Sequence, residues 1–206
     1  MSASLRYLLI LDLEATCGDD VEGVNEIIEF PTLVYDLQED KVQSTFHEYV
    51  RPVVHPKLTD FCIDLTGITQ DVVDAAEPFP AVWERYQKFL RDNELLADPA
   101  SFAFLTCGNW DLRSMLPRQL DISESEHGLD ASGNLVAPYN RFINVKDAFR
   151  AHYKLRYQQG MAQMLRRLKM ELEGRHHSGI DDCRNILRIV QQMLADGWQP
   201  QGSLKP

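Results

Sequence analysis

Hydrophobic residues fall along this chain in runs whose period changes from element to element. Leu8 to Leu11 is unbroken apolar sequence, the mark of a strand buried on both faces, and it runs straight into Asp12-Leu13-Glu14 before Ala15-Thr16-Cys17-Gly18 ends it. Alternate residues of a strand point the same way, so Asp12 and Glu14 project together from its C-terminal end while Leu13 points opposite. An acidic loop over 18–24 leads to a second strand from about Glu26 to Leu37, a turn at Gln38-Glu39-Asp40, and a third strand from Lys41 to Arg51, which together make an antiparallel meander. Pro31 removes one ladder donor and predicts a bulge or local edge, and Pro52 and Pro56 close the sheet segment.

Beyond residue 57 the helical period takes over. Residues 57–76 predict two short helices separated at Thr66-Gly67, with the Thr69 hydroxyl capping the second. In Pro80 to Leu90, Val82, Tyr86, Phe89 and Leu90 share one face of a packing helix. Phe102 to Thr106 is a strand that delivers Gly108 to Asp111 at its end, and the next helix runs toward Pro117. The polar stretch 123–138 is expected to be a mobile surface insertion. A short strand at Phe142 to Val145 follows, then helices over Lys146 to Tyr153, Met161 to Leu168 and Asp181 to Leu194, the last burying Cys183, Ile186, Leu187, Val190, Met193 and Leu194. This order fits an α/β fold: a mixed five-stranded sheet, antiparallel meander plus parallel strands, flanked by helices.

The chain has 206 residues, 44% of them hydrophobic and 25% charged, which is expected to make a single domain with its core at about 6–198 and a short flexible C-terminal tail. Nothing approaches the ~18 consecutive apolar residues of a membrane span. An intracellular protein, cytoplasmic or nuclear and off the membrane, is the expectation. Cys17, Cys62, Cys107 and Cys183 form no C-x-x-C pair, so neither a zinc site nor a disulfide framework is implied. A net charge of −10 opposes indiscriminate binding of a polyanion, but residues 141–190 hold 11 Lys and Arg against 5 Asp and Glu. A few of these cations are expected to touch phosphate while the rest decorate solvated helix faces.

Two carboxylates aimed at one point repel each other and lose hydration, an arrangement that persists when a hard cation such as Mg²⁺ or Mn²⁺ sits between them. The bland alternative is that the strand ends at Leu11 and both acids are solvated. Two later motifs complete a set: Gly108-Asn109-Trp110-Asp111-Leu112, and His177-Ser178-Gly179-Ile180-Asp181-Asp182. In this order the acid pair, the later aspartate and H-x-x-x-x-D resemble the DEDDh 3′-to-5′ exonucleases, which have a ribonuclease H-like fold. Within them the chain looks most like the Eri-1 and 3′ histone-mRNA exonuclease family. Asn25-Glu26-Ile27-Ile28-Glu29-Phe30-Pro31 and the stretch from Asp60 to Gln70 add to the resemblance, which runs from about Leu8 to Trp198.

That resemblance implies a metal-dependent exoribonuclease that shortens single-stranded RNA 3′ ends to nucleoside 5′-monophosphates, in RNA processing, turnover or small-RNA silencing. It implies two Mg²⁺ ions, with Mn²⁺ as a substitute, held by Asp12, Glu14, Asp111 and Asp182. His177 is the implied general base, chosen over His176 by its five-residue step to Asp182, and His176 is left as a loop histidine. Glu14, the backbone of Ala15, and Trp110 as a stacking platform would bind the terminal nucleotide, with Ile63 and Leu65 as apolar wedge contacts. Asp181 is left as a helix-start acid. Two other readings stand beside this one: a DNA exonuclease of the same fold, and a non-catalytic adaptor in an RNA-silencing complex.

Overall fold

The computed structural model describes residues 5–21, 24–125 and 127–204. Its sheet contains the strands β1 (Tyr7–Leu11), β2 (Glu14–Ala15), β3 (Ile27–Asp36), β4 (Lys41–Arg51), β5 (Glu77–Pro78), β6 (Phe102–Thr106) and β7 (Phe142–Asn144), in the order β5-β4-β3-β1-β6-β7 with β2 also on β3. The five longer strands are those expected from the sequence, and the two-residue strands β2 and β5 enlarge the sheet to seven. β3 is antiparallel to both β1 and β4, whereas β6 and β7 run parallel to β1. The sheet is therefore mixed, as expected.

The meander fills the centre of the sheet with β3, every residue of which is buried. Pro31 fits there because β1 pairs with β3 only as far as Leu11 opposite Thr32, and β2 begins at Glu14 opposite Glu29. The proline thus occupies a gap in pairing on that side, a local edge inside a central strand. The bulges lie elsewhere, at Val34/Tyr35 against β4 and at Glu14/Ala15 against β3.

Alternation along β1 divides the core in two. Leu9 and Leu11 pack with Phe30, Val34, Phe46 and the buried face of α3 (Phe79–Asp92): Val82, Trp83, Tyr86 and Leu90. Leu8 and Ile10 pack instead with Ile143 and with α5 (Val145–His152), α6 (Met161–Arg167) and α7 (Gly179–Ala195). Helix α1 (Asp60–Thr66) and helix α2 (Gln70–Asp74) cover a smaller cluster of Ile28, Leu58, Cys62, Ile68 and Val73.

Three local expectations need correction. Thr69 stands at the N-cap of α2 but its hydroxyl makes no capping bond, whereas Thr59 does cap α1, accepting from Cys62 N at 3.0 Å. The polar insertion is anchored over 127–138: Leu129 bridges Leu135, Leu135 is buried in the first core, and neighbouring Tyr139 donates to Gln87 at 2.8 Å. Residues 199–204, expected to belong to a short flexible C-terminal tail, include a 3₁₀ turn at Pro200–Ser203, with the Trp198 indole donating to Ser203 and Leu204 packed on the second core. Among the described residues no helix is long and apolar enough to cross a membrane.

Candidate active site

Because β1 and β6 are parallel neighbours, their C-terminal ends open side by side on the crevice where open α/β sheets place their sites. Asp12 follows β1 there and Glu14 opens β2. Asp111 follows β6 in a single π turn, Asp111–Met115, that precedes α4 (Leu116–Ile122). Such turns widen a helix locally and are frequent at functional positions. The Asp111 carboxylate accepts the Leu13 N–H at 2.9 Å, which ties the β6 end to the backbone between the first two acids.

Asp182 arrives from the third direction, in the first turn of α7. Its Oδ2 accepts the His177 N–H at 2.9 Å, and its Oδ1 is buried without a hydrogen-bond partner. His177 has φ 64°, a left-handed conformation that costs a non-glycine residue free energy and is common where a site dictates geometry. The result is a cavity of about 390 Å³ lined by Asp12, Glu14, Trp110, Asp111, His177 and Asp182. That volume lies near the lower end of ligand clefts, roughly 300–1,000 Å³, and suits one small unit of substrate.

Electrostatics mark the cavity as built for a cation. Burial raises the carboxyl pKa of Asp12 far above its ordinary value, and repulsion from Asp111, Asp182 and Glu14 adds to it. Burial, then the charges of Glu29 and Asp182, push Glu14 up to about 9. Asp182 rises to about 6, again mainly through burial. Asp111 is raised less than its burial alone demands, because the Leu13 N–H and the Lys146 ammonium favour its charged form. Half-buried His177 shifts the other way, below its ordinary value, through burial and then the proximity of His176. The cavity thus sets an imidazole that favours its neutral form beside several carboxyls whose charge is disfavoured by burial and by one another.

The remaining expected residues are distributed differently. Trp110 is 44% exposed at the rim of the cavity and does not fill the core. Ala15 is buried in β2, opposite Ile27. Ile63 and Leu65 sit on α1, half-buried, and do not line the cavity; Ile63 packs on the small third cluster, and Phe61 is the exposed apolar residue of that helix. Of the basic segment, Arg141, Arg175, Arg184 and Arg188 are engaged within the chain. Arg175 donates to the carbonyls of Asp64 and Leu65, Arg184 pairs with Asp181 at 2.8 Å, Arg188 pairs with Glu173 at 3.0 Å, and Arg141 donates to Pro99 O at 3.0 Å. Asp181 also accepts the Arg175 N–H at 3.0 Å, so it folds the loop ahead of α7.

Sequence reasoning missed three neighbours. Lys146 lines the cavity beside Asp111. His176 also lines it, its ring stacked 4.0 Å from that of His177. Glu29, only 1% exposed, accepts Gly179 N at 2.9 Å and Ile180 N at 3.1 Å, and meets His47 at 2.8 Å. An acid at a helix N-terminus satisfies orphan donors and opposes the dipole, so Glu29 docks α7 at the angle that aims Asp182. The one signal for it in sequence was an acid inside an otherwise apolar strand.

A family model described as Exonuclease matches residues 9–190. The chain belongs to that exonuclease family. It is 39% identical over 94% of its length to 3′-5′ exoribonuclease 1 of Mus musculus, covering 54% of that protein. It is also 39% identical over 98% of its length to ERI1 exoribonuclease 3 of Homo sapiens, covering 57%. The chain thus spans about half the length of these curated relatives. The solved nuclease domain of 3′hExo, a DEDDh family member bound to rAMP, superposes with a TM-score of 0.87 at 35% identity, covering all of this chain and 99% of that domain. The DEDDh, ribonuclease H-like fold implies dependence on a divalent metal, and the donors here fit one. Asp12, Glu14 and Asp182 bring carboxylate oxygens within 4.8 Å of one another, and the orphaned Asp182 Oδ1 is the kind of buried atom that a bound cation satisfies.

Proposed function

We propose that this chain is a 3′-to-5′ exoribonuclease that removes nucleoside 5′-monophosphates from single-stranded RNA, residues 6–198 acting as one exonuclease domain. The observation that carries the reading is the convergence of Asp12, Glu14, Asp111, Asp182 and His177 on one cavity beside an exposed tryptophan. Asp12, Glu14, Asp111 and Asp182 would hold two Mg²⁺ ions, Mn²⁺ substituting, and the bound ions would supply the charge that stabilises the attacking and departing oxygens of the phosphodiester.

The chain's own groups do the rest. His177, neutral near pH 7 because its pKa is depressed, accepts the proton of the attacking water on a ring nitrogen. Trp110 stacks beneath the terminal base, a contact that tolerates any sequence. Glu14 and the backbone around Ala15 bind the terminal nucleotide, and Ile63 and Leu65 act with exposed Phe61 against the next bases. Lys146 is the cation best placed for a phosphate. Four free cysteines suit a reducing compartment such as the cytoplasm or nucleus.

The deciding experiment digests 5′-labelled RNA and DNA of one sequence, bearing 3′-hydroxyl or 3′-phosphate ends, with Mg²⁺, with Mn²⁺ and with excess chelator. A ladder shortening from the 3′ hydroxyl of RNA, abolished by chelator, is expected. Equal digestion of DNA would widen the substrate class, and no metal-dependent shortening of either strand would end the proposal.

A further inference from the structure

Asp182 belongs to two donor sets. One is all oxygen: Asp12, Glu14 and Asp182. The other is His176, His177 and Asp182, whose ligand atoms likewise lie within 4.8 Å of one another. We propose that the second set is a second metal site, selective for a borderline ion of the Zn²⁺ type, and that its occupation takes Asp182 from the all-oxygen site and His177 from its work as a base.

Consecutive side chains in extended backbone point to opposite sides. The left-handed turn at His177, φ 64°, breaks that alternation and brings both rings to one side, with centroids 4.0 Å apart and planes 21° from parallel. Facing them is Asp182, 4% exposed, with Oδ2 held by the His177 N–H and Oδ1 left without a partner. Two imidazole nitrogens and one carboxylate oxygen are the ligand types of a three-residue zinc site whose fourth position stays open to water or a phosphate oxygen. Ligand atoms about 2 Å from a tetrahedral ion lie about 3.3 Å apart, so the set must close slightly. His176 is the exposed member of the set.

Hardness separates the two sites. Mg²⁺ prefers oxygen donors in octahedral array and has little use for imidazole, whereas Zn²⁺ binds nitrogen and oxygen together and outcompetes lighter divalent ions at such donors. A Zn²⁺ ion on His177 occupies the lone pair that takes the water's proton, so Zn²⁺ blocks Mg²⁺-supported hydrolysis. That consequence, though not the site itself, rests on the reading of His177 given under the proposed function.

The test uses the full chain stripped of metal. Co²⁺ is titrated by its visible absorption, which reports tetrahedral nitrogen ligation, and Zn²⁺ is then titrated by displacing it, in wild type and in His176→Ala. Loss of even an outer partner of a metal-bound histidine weakens affinity by about 10–100-fold, so removal of His176 itself is expected to cost at least about tenfold in Zn²⁺ affinity. The Zn²⁺ concentration that halves Mg²⁺-supported hydrolysis should rise by the same factor, each protein being compared with its own rate in Zn²⁺-free buffer. Equal Zn²⁺ affinity in the two proteins, or no tetrahedral Co²⁺ spectrum in wild type, overturns the proposal. Failure of the exonuclease reading shows up separately, as wild type without Mg²⁺-supported activity, and leaves the Co²⁺ titration able to decide the site.

Discussion

Replacing Asp182 by Asn should make the metal-free protein more stable while destroying its activity. Asp182 has its pKa raised from an ordinary 3.8 to about 6, chiefly by burial, so the native state binds this proton more tightly than the unfolded chain does. Stability contributed by the protonated acid is therefore full below about pH 4, falls as pH rises toward 6, and stays at its reduced level above that. A shift of about two pKa units corresponds to about 3 kcal/mol against the fold at neutral pH. Asn keeps the shape and an oxygen for the His177 N–H but gives a weaker, uncharged bond, returning about 1 kcal/mol of that gain. The net of about 2 kcal/mol should appear as a melting temperature about 4–8 °C above wild type in a chain of this size.

Circular-dichroism melts in excess chelator at pH 7.5 and again at pH 4 provide the assay. The advantage of Asp182→Asn should vanish at pH 4, where folded wild-type Asp182 is protonated and the unfolded chain's is about half so, which restores most of the lost stability. Saturating Mg²⁺ or Mn²⁺ should also close the gap at pH 7.5, because an ion held at a hundred times its dissociation constant stabilises wild type by about 2.7 kcal/mol and cannot use the amide in the same way. A variant that melts at or below wild type in chelator at pH 7.5, or an advantage that persists unchanged at pH 4, would refute the idea that Asp182 is a strained acid awaiting a cation.

What the sequence revealed, and what it hid, divides along the distance over which each contact acts. Asp12 and Glu14 were legible because strand alternation is local: the apolar run Leu8 to Leu11 fixes which way its flanking acids point. Trp110 and Asp111 were legible because they immediately follow an apolar strand. The roles of Glu29 and Lys146 were not, since each is set by an element far away in the chain. Glu29 looks like one acid interrupting Ile27 to Pro31 until α7, 150 residues later, brings its unpaired N–H groups onto it. Lys146 reads as an ordinary helix-start residue until the register of β7 against β6 sets α5 beside the cavity. The basic excess in 141–190 could not be apportioned for the same reason. Charge along a sequence does not show that four of those arginines are already committed to carbonyls or acids within the fold.

Further outcomes are expected at Glu29, His177, Trp110, the paired arginines and Lys146. Glu29→Gln leaves one carbonyl oxygen to serve the donors at Gly179 and Ile180, so it should cost about 1–3 kcal/mol in urea unfolding, and an unchanged midpoint would mean α7 is held by packing alone. His177→Ala should lower kcat by about 10²–10⁴ while Mg²⁺ binding measured by calorimetry is retained; a comparable loss in His176→Ala instead would reassign the base. Trp110→Ala should weaken binding of a short RNA by about 1–3 kcal/mol, roughly five-fold to over a hundredfold. Most of the chain repels RNA, with residues outside 141–190 carrying a net −16, and Arg141, Arg175, Arg184 and Arg188 already have partners inside the protein. Loss of any one of those arginines should therefore alter RNA affinity less than loss of the indole, and affinity should fall only shallowly with salt, by about 0.7 in log–log slope for each phosphate neutralised. Lys146→Ala is the exception, expected to flatten that slope because its ammonium lies in the cavity itself. Binding isotherms of one fluorescent oligonucleotide at several salt concentrations compare all three classes of variant: a steep slope with Trp110→Ala indistinguishable from wild type would mean that the site grips phosphates and that the exposed indole is incidental.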